Sequence, residues 1–152
     1  MILGVDPGRD KTGWALTDSA GELLLSGICP TLEFGLVVAA LNCPPSQWKK
    51  ALAPWTLERQ ALVHETAELE RAALGNGTGS RQVLPYLERL AVRTVLVGEE
   101  GTTLAARKLY WRLHRPGWWR RLLPSSLWVP PRPLDDLAAW VIVLRVLRGR
   151  KA

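Results

Sequence analysis

The order of the apolar runs constrains this chain more than any other feature. Residues 2–5 form a short apolar run stopped by Asp6-Pro7-Gly8, and an extended pattern resumes over 13–17 after a polar connector. Ser19-Ala20-Gly21-Glu22 is a second turn signal, and residues 23–28 follow it as a third run. Connections this short join antiparallel strands, so the chain is expected to open with a three-stranded meander. From residue 72 the grammar changes. Residues 72–74 read as a short strand running into Gly75-Asn76-Gly77-Thr78-Gly79-Ser80, and Val83, Leu84, Leu87 and Leu90 then recur at helical spacing, with Ser80 as N-cap and Pro85 near the first turn. Residues 94–98 are the clearest buried strand and end at Glu99-Glu100. Thr102 or Thr103 can cap a helix over 104–113, and a Pro-, Trp- and Arg-rich segment, 116–133, leads to a last helix over 134–147. A meander followed by strand, helix, strand, helix predicts an α/β protein with a mixed sheet covered by helices. Residues 30–68, punctuated by Pro30, Pro44, Pro45 and Pro54, resist this reading beyond a helix somewhere in 47–62.

At 152 residues and 47% hydrophobic content, one core over residues 1–152 is expected, without help from disulfides or a structural metal. Cys29 and Cys43 lack Cys-x-x-Cys spacing, and His64 and His114 lie far apart in sequence, which argues against zinc. The opening Met-Ile-Leu-Gly-Val-Asp has none of the regions of a secretory signal, and no apolar run approaches the roughly 18–20 residues that span a bilayer. A cytoplasmic protein without membrane contact is expected. Residues 1–100 hold 9 Lys and Arg against 12 Asp and Glu, whereas residues 101–152 hold 11 against only Asp135 and Asp136. So uneven a field favours a polyanionic partner.

Acidic residues recur where elements end. Asp6 closes the first strand, Glu99 and Glu100 close the 94–98 strand, and Asp135 and Asp136 open the terminal helix. Taken singly, each has an ordinary explanation: an Asp-Pro-Gly turn, a solvated strand end, a helix N-terminus that favours negative charge. Taken together, they converge if the two strands are neighbours and the helix crosses their ends. Ionised carboxylates so placed repel one another unless cations or a proton lie between them. Hard oxygen ligands suit Mg²⁺ or Mn²⁺, and a pair of such ions can clamp the attacking and leaving oxygens of a phosphodiester.

The stretch Ile2-Leu3-Gly4-Val5-Asp6-Pro7-Gly8-Arg9-Asp10-Lys11-Thr12-Gly13 resembles the first strand and turn of the RuvC and YqgF group of Holliday-junction-resolvase-like nucleases, within the ribonuclease H-like superfamily. The resemblance continues through Gly75-Asn76-Gly77-Thr78, through Val95-Leu96-Val97-Gly98-Glu99-Glu100-Gly101-Thr102-Thr103 and through Pro130-Pro131-Arg132-Pro133-Leu134-Asp135-Asp136-Leu137-Ala138-Ala139, leaving out 30–68. It implies a ribonuclease H-like fold: a five-stranded mixed sheet, antiparallel meander then parallel strands, flanked by helices. It also implies two Mg²⁺ or Mn²⁺ ions held by Asp6, Glu100 and Asp135, with Glu99 and Asp136 as backups, and hydrolysis of branched DNA by a homodimer. Resolvases of this group tend to carry another acid one turn beyond Asp135, where this chain has Ala138; that leans toward the YqgF-like branch, which is linked also to precursor ribosomal RNA, a structured RNA.

Between residues 105 and 132, Arg107, Lys108, Arg112, Arg115, Arg120, Arg121 and Arg132 are interleaved with Tyr110, Trp111, Trp118, Trp119 and Trp128. Guanidinium forks suit phosphates and indole faces stack on unpaired bases, so these cations, with Trp118 and Trp119, are expected to contact nucleic acid. Several of the other tryptophans, Trp128 and Trp140 above all, are expected in the core. Arg9 and Lys11 in the first turn are further contacts. Asn76 and Thr78 sit in a Gly-rich turn whose backbone N–H groups can face an anion. Two rival readings remain: a nucleic-acid-binding module without turnover, and an ATPase of the actin-like kind, against which the length argues because such proteins close two lobes around the nucleotide.

Overall fold

Three strands joined by tight turns open the chain, β1 (Ile2–Pro7), β2 (Lys11–Thr17) and β3 (Leu23–Pro30). The computed structural model describes residues 1–61, 63–119, 122, 124 and 127–149. Helices α1 (Phe34–Leu41) and α2 (Pro45–Ala51) lead to β4 (Thr56–Arg59) and β5 (Arg71–Gly75). Then come α3 (Ser80–Leu87), β6 (Arg93–Val97), α4 (Thr102–Leu113) and α5 (Asp135–Gly149). The sheet order is β4-β3-β2-β1-β5-β6. Neighbours from β1 through β4 are antiparallel, whereas β1, β5 and β6 run parallel. This is the α/β, ribonuclease H-like arrangement expected, with six strands rather than five. The additional strand, β4, comes from the segment that sequence patterning left unread. The helix expected in 47–62 stops at Ala51; a short 3-10 turn, Ala53–Trp55, carries Pro54, and the chain is extended again by Thr56.

Alternation along the strands sorts side chains onto two layers. Leu3, Val5, Trp14, Leu16 and Leu74 face α1, α2 and α3 in the larger core. Ile2, Ala15 and Ala73 face the other way, toward α5 and its Leu137–Val143 stretch. Asp6, an even step from Ile2 along β1, belongs to the α5 side. There the helix lies directly on the sheet: a Cβ on Gly13 would sit 2.0 Å from the Asp135 carbonyl oxygen, and one on Gly4 would sit 2.2 Å from that of Ala139. No side chain larger than hydrogen fits at these positions, and Ala138 and Ala139 are the matching small residues on the helix.

Three local expectations are corrected. The strand read as most buried is the edge strand β6, with Leu96 62% exposed, because no further strand among the described residues pairs beyond it; the neighbouring β5 is the buried one. Ser80 and Thr102 are first helical residues rather than N-caps, which are Gly79 and Gly101. Gly101 takes a left-handed conformation (φ 70°), and the Thr102 hydroxyl turns back to the Glu99 carbonyl. Cys29 and Cys43 are free thiols, and among the described residues no helix is long and apolar enough to cross a membrane.

Candidate active site

Two packing contacts bring distant carboxylates together. Asp6 pairs in register with Gly13 across β1 and β2, and Gly13 lies beneath the backbone of Asp135, so the first turn of α5 stands beside Asp6. Gly75, at the end of β5, pairs with Val97 at the end of β6. Beyond Val97 the chain folds the Glu99 side chain over the turn that follows β5: Cβ atoms on Gly75 and Gly77 would meet its carboxylate oxygens at 2.0 and 2.4 Å. Those glycines leave the room that the carboxylate fills.

The electrostatics record the convergence. Burial pushes Asp6 up to about 7, reinforced by the nearby charges of Glu99 and Asp135 and by a hydrogen bond with Glu99, against a smaller opposing pull from Lys11. Lys11 Nζ lies 2.8 Å from Asp135 Oδ2. Glu99 Oε1 is buried without a hydrogen-bond partner among the described residues. Among the described residues no group of three His, Cys, Asp or Glu side chains is set closely enough to hold a metal ion. The repulsion favours the protonated form of Asp6 and is offset in part by the Lys11 ammonium. In kind, the donors fit a hard divalent cation: three carboxylates, one with an orphaned oxygen and one that titrates near neutral pH.

One expected ligand, Glu100, and one backup, Asp136, lie elsewhere. Glu100 is exposed, and its carboxylate bends back over Gly98, whereas the Glu99 side chain turns onto Gly75 and Gly77. It is Glu99 that faces Asp6. Asp136 is fully buried in a second cluster: it accepts from Ser26 Oγ at 2.7 Å and from Arg132 Nη1 at 2.8 Å. Arg132 also donates to Glu58 Oε1 at 2.6 Å, and His114 Nε2 lies 2.7 Å from the same oxygen. Burial alone would push Glu58 up, but hydrogen bonds and charge from His114 and Arg132 outweigh it and hold the carboxyl below its ordinary value. The same two carboxylates more than offset the burial of Arg132 and raise its pKa. Arg132 is therefore committed to the protein interior rather than to a nucleic acid. Neither Glu58 nor Ser26 carried a signal in sequence, since each is one polar residue in a short strand.

The other expected contacts divide. Arg9, Asn76, Thr78, Lys108, Arg115, Trp118 and Trp119 are exposed, and Arg107 is half-buried. Arg112 lies over the Trp140 ring and pairs loosely with Glu22, at 3.7 Å. Lys11 is occupied by Asp135. Arg120 and Arg121 lie outside the described residues. In the Gly-rich turn, the N–H of Asn76 donates to the Val97 carbonyl, and those of Gly79 and Ser80 donate to Pro7 and Gly77. Those amides serve the fold, which leaves the side chains of Asn76 and Thr78 as the outward groups. Trp140 is core, as expected. Trp128 is half-buried beside Trp111, whose indole N–H donates to the Trp128 carbonyl.

No family model and no curated protein sequence matches the chain. Among solved structures, T. thermophilus RuvC in complex with Holliday junction substrate aligns over 99% of this chain and 96% of that one, with 16% identity and a TM-score of 0.49. So distant a likeness adds no argument of its own, and any functional reading rests on the carboxylate geometry.

Proposed function

We propose that this chain, acting as one domain, is a Mg²⁺- or Mn²⁺-dependent endonuclease for branched DNA, with Asp6, Glu99 and Asp135 as the metal-holding carboxylates. The observation that carries the reading is their convergence from three distant segments at the sheet's carboxyl end, with Asp6 driven toward protonation. A cluster this unfavourable without a cation has an evident use in binding one. When bound, the ions would supply positive charge at the phosphate where cleavage occurs. Asp6 must release its proton to ligate, and at about 7 it does so at neutral pH. The exposed Arg9, Lys108 and Arg115 orient the sugar-phosphate backbone, and Trp118 and Trp119 offer faces for unpaired bases at a branch point. Cutting two strands of a junction calls for two such sites, hence a homodimer.

The test is cleavage of a synthetic four-way junction and of precursor ribosomal RNA, with Mg²⁺ or with EDTA, by wild type and Asp6→Asn. Metal-dependent cutting of the junction that Asp6→Asn abolishes is the expected result; cutting of the RNA alone would move the substrate to structured RNA. Binding of both without cutting either would sink the enzyme reading. It would leave a nucleic-acid-binding module, the reading that the Lys11 ammonium on Asp135 favours.

A further inference from the structure

Glu99 hangs from a four-residue strap, residues 97–100, whose four carbonyls are all tied down by three residues, Asn76, Thr102 and Arg145. The Val97 carbonyl accepts from the Asn76 N–H at 3.0 Å. That of Glu99 accepts from the Thr102 N–H at 3.0 Å and the Thr102 hydroxyl at 2.9 Å, at the start of α4. The carbonyls of Gly98 and Glu100, on either side of Glu99, both accept from one group, the guanidinium of Arg145 on α5: Nη1 donates to Gly98 and Nη2 to Glu100. Backbone polar groups away from regular structure need partners, and here one side chain satisfies the two that bracket a candidate ligand.

We propose that Arg145 is the positioning residue for Glu99, a fork that sets the orientation of its peptide and so aims the carboxylate at Asp6. The proposal rests on the metal-dependent reading above and assigns one more residue to it. Arg145 stands ten residues after Asp135 on the same helix, about 15 Å along its axis at 1.5 Å per residue. Helix α5 thus presents one carboxylate directly and holds a second through Arg145. Because Gly4 and Gly13 lock α5 against the sheet, the spacing of Asp135, Glu99 and Asp6 is governed by a single helix-on-sheet contact. An arginine near a helix C-terminus can also serve the helix dipole, but that role asks only for positive charge. Bridging two carbonyls asks for a planar fork, which lysine does not have. In sequence the hint is a lone cation within the apolar run Trp140-Val141-Ile142-Val143-Leu144-Arg145-Val146-Leu147.

The experiment measures Mn²⁺ affinity, hydrogen exchange at the Thr102 amide, and the kcat and KM of junction cleavage, for wild type, Arg145→Met, Arg145→Lys and Asp6→Asn, with the exposed Arg148→Met as control. Arg145→Met is expected to lose about tenfold or more in Mn²⁺ affinity, the usual scale for removing a group that orients a ligand. It should speed exchange at Thr102 and lower kcat with KM within about twofold. Arg145→Lys should fall between it and wild type, and Arg148→Met should match wild type. Wild-type Mn²⁺ affinity in Arg145→Met would overturn the proposal, as would equal losses in the Met and Lys variants accompanied by a lowered unfolding midpoint. If Asp6→Asn abolishes Mn²⁺ binding while Arg145→Met leaves it intact, this inference alone fails. A wild-type protein that binds no Mn²⁺ overturns the metal reading together with it.

Discussion

Asp135 and Asp136 are adjacent in the first turn of one helix, yet they belong to clusters of opposite character. Asp136, with Glu58, is neutralised from inside the protein: Arg132 bridges both carboxylates, Ser26 donates to one and His114 contacts the other. Asp135, with Asp6 and Glu99, is left short of positive charge, with Lys11 alone among the described residues drawn up to it. About 100° of helix rotation separates the two outcomes. The contrast separates a buried ionic clasp, which ties the end of the basic segment to the sheet edge, from a cluster of mutually repelling carboxylates, the one that the proposed function assigns to a cation. Stability and function are thereby read from the charge balance of each cluster rather than from the count of acids in it.

The largest effect is expected from breaking the clasp. Arg132→Met leaves the buried Asp136 carboxylate without its cation, held by Ser26 alone, and Glu58 with only His114 and Gln60, and should cost about 3–5 kcal/mol in urea unfolding; a loss under about 1 kcal/mol would mean that the clasp is not a stabilising unit. The next test sharpens the contrast through pH. Asp6 is raised in the folded protein from 3.8 to about 7, so the folded state binds its proton more tightly than the unfolded chain. Stability of the EDTA-treated protein should therefore fall as pH rises between those two values, by about 4 kcal/mol in all, because each pH step between them costs about 1.36 kcal/mol. Asp6→Asn should remove the decline, making the metal-free protein more stable at pH 8 while abolishing cleavage. Glu58, held below 4.5, acts with the opposite sign: its contribution is present above that value and is lost as pH falls through its lower folded pKa, and Glu58→Gln should remove that acid-side loss.

Next in size is the choice between adjacent glutamates. Glu99→Gln should reduce metal-dependent cleavage by about a hundredfold or more, about 2.7 kcal/mol of barrier, with Glu100→Gln within about twofold of wild type. The reverse order would return the ligand to Glu100. The smallest effect is expected at Lys11, which is 47% exposed. Lys11→Met should change stability by less than about 1 kcal/mol and tighten Mn²⁺ binding by up to about fivefold, measured by calorimetry, because it removes a competing cation.

Much of this was legible in the sequence where the controlling physics is local. Turn chemistry at Asp6-Pro7-Gly8, the polar breaks between the first three runs and the helical period after Leu134 located the meander, Asp6 and the start of α5. The close approach of Gly4 to Ala139 made physical sense of the small residues Ala138 and Ala139. Residues 30–68 were not legible, because α1 is apolar on nearly every side and β4 has only four residues, too few to show a period. Nor did the apolar run of β6 reveal that it would lie at an edge, since neighbours in a sheet are chosen by topology.

The sequence by itself thus determined the class of fold and the three chain segments from which a carboxylate site could be built, because strand, turn and helix signals act over a few residues. Only the tertiary structure decided which acid of each adjacent pair turns to the site. That choice depends on the phase of α5 against Gly4 and Gly13 and on how Arg145 and Thr102 hold the strap around Glu99. The same long-range packing paired Arg132 with Glu58, 74 residues away, and so moved one expected nucleic-acid contact into the interior.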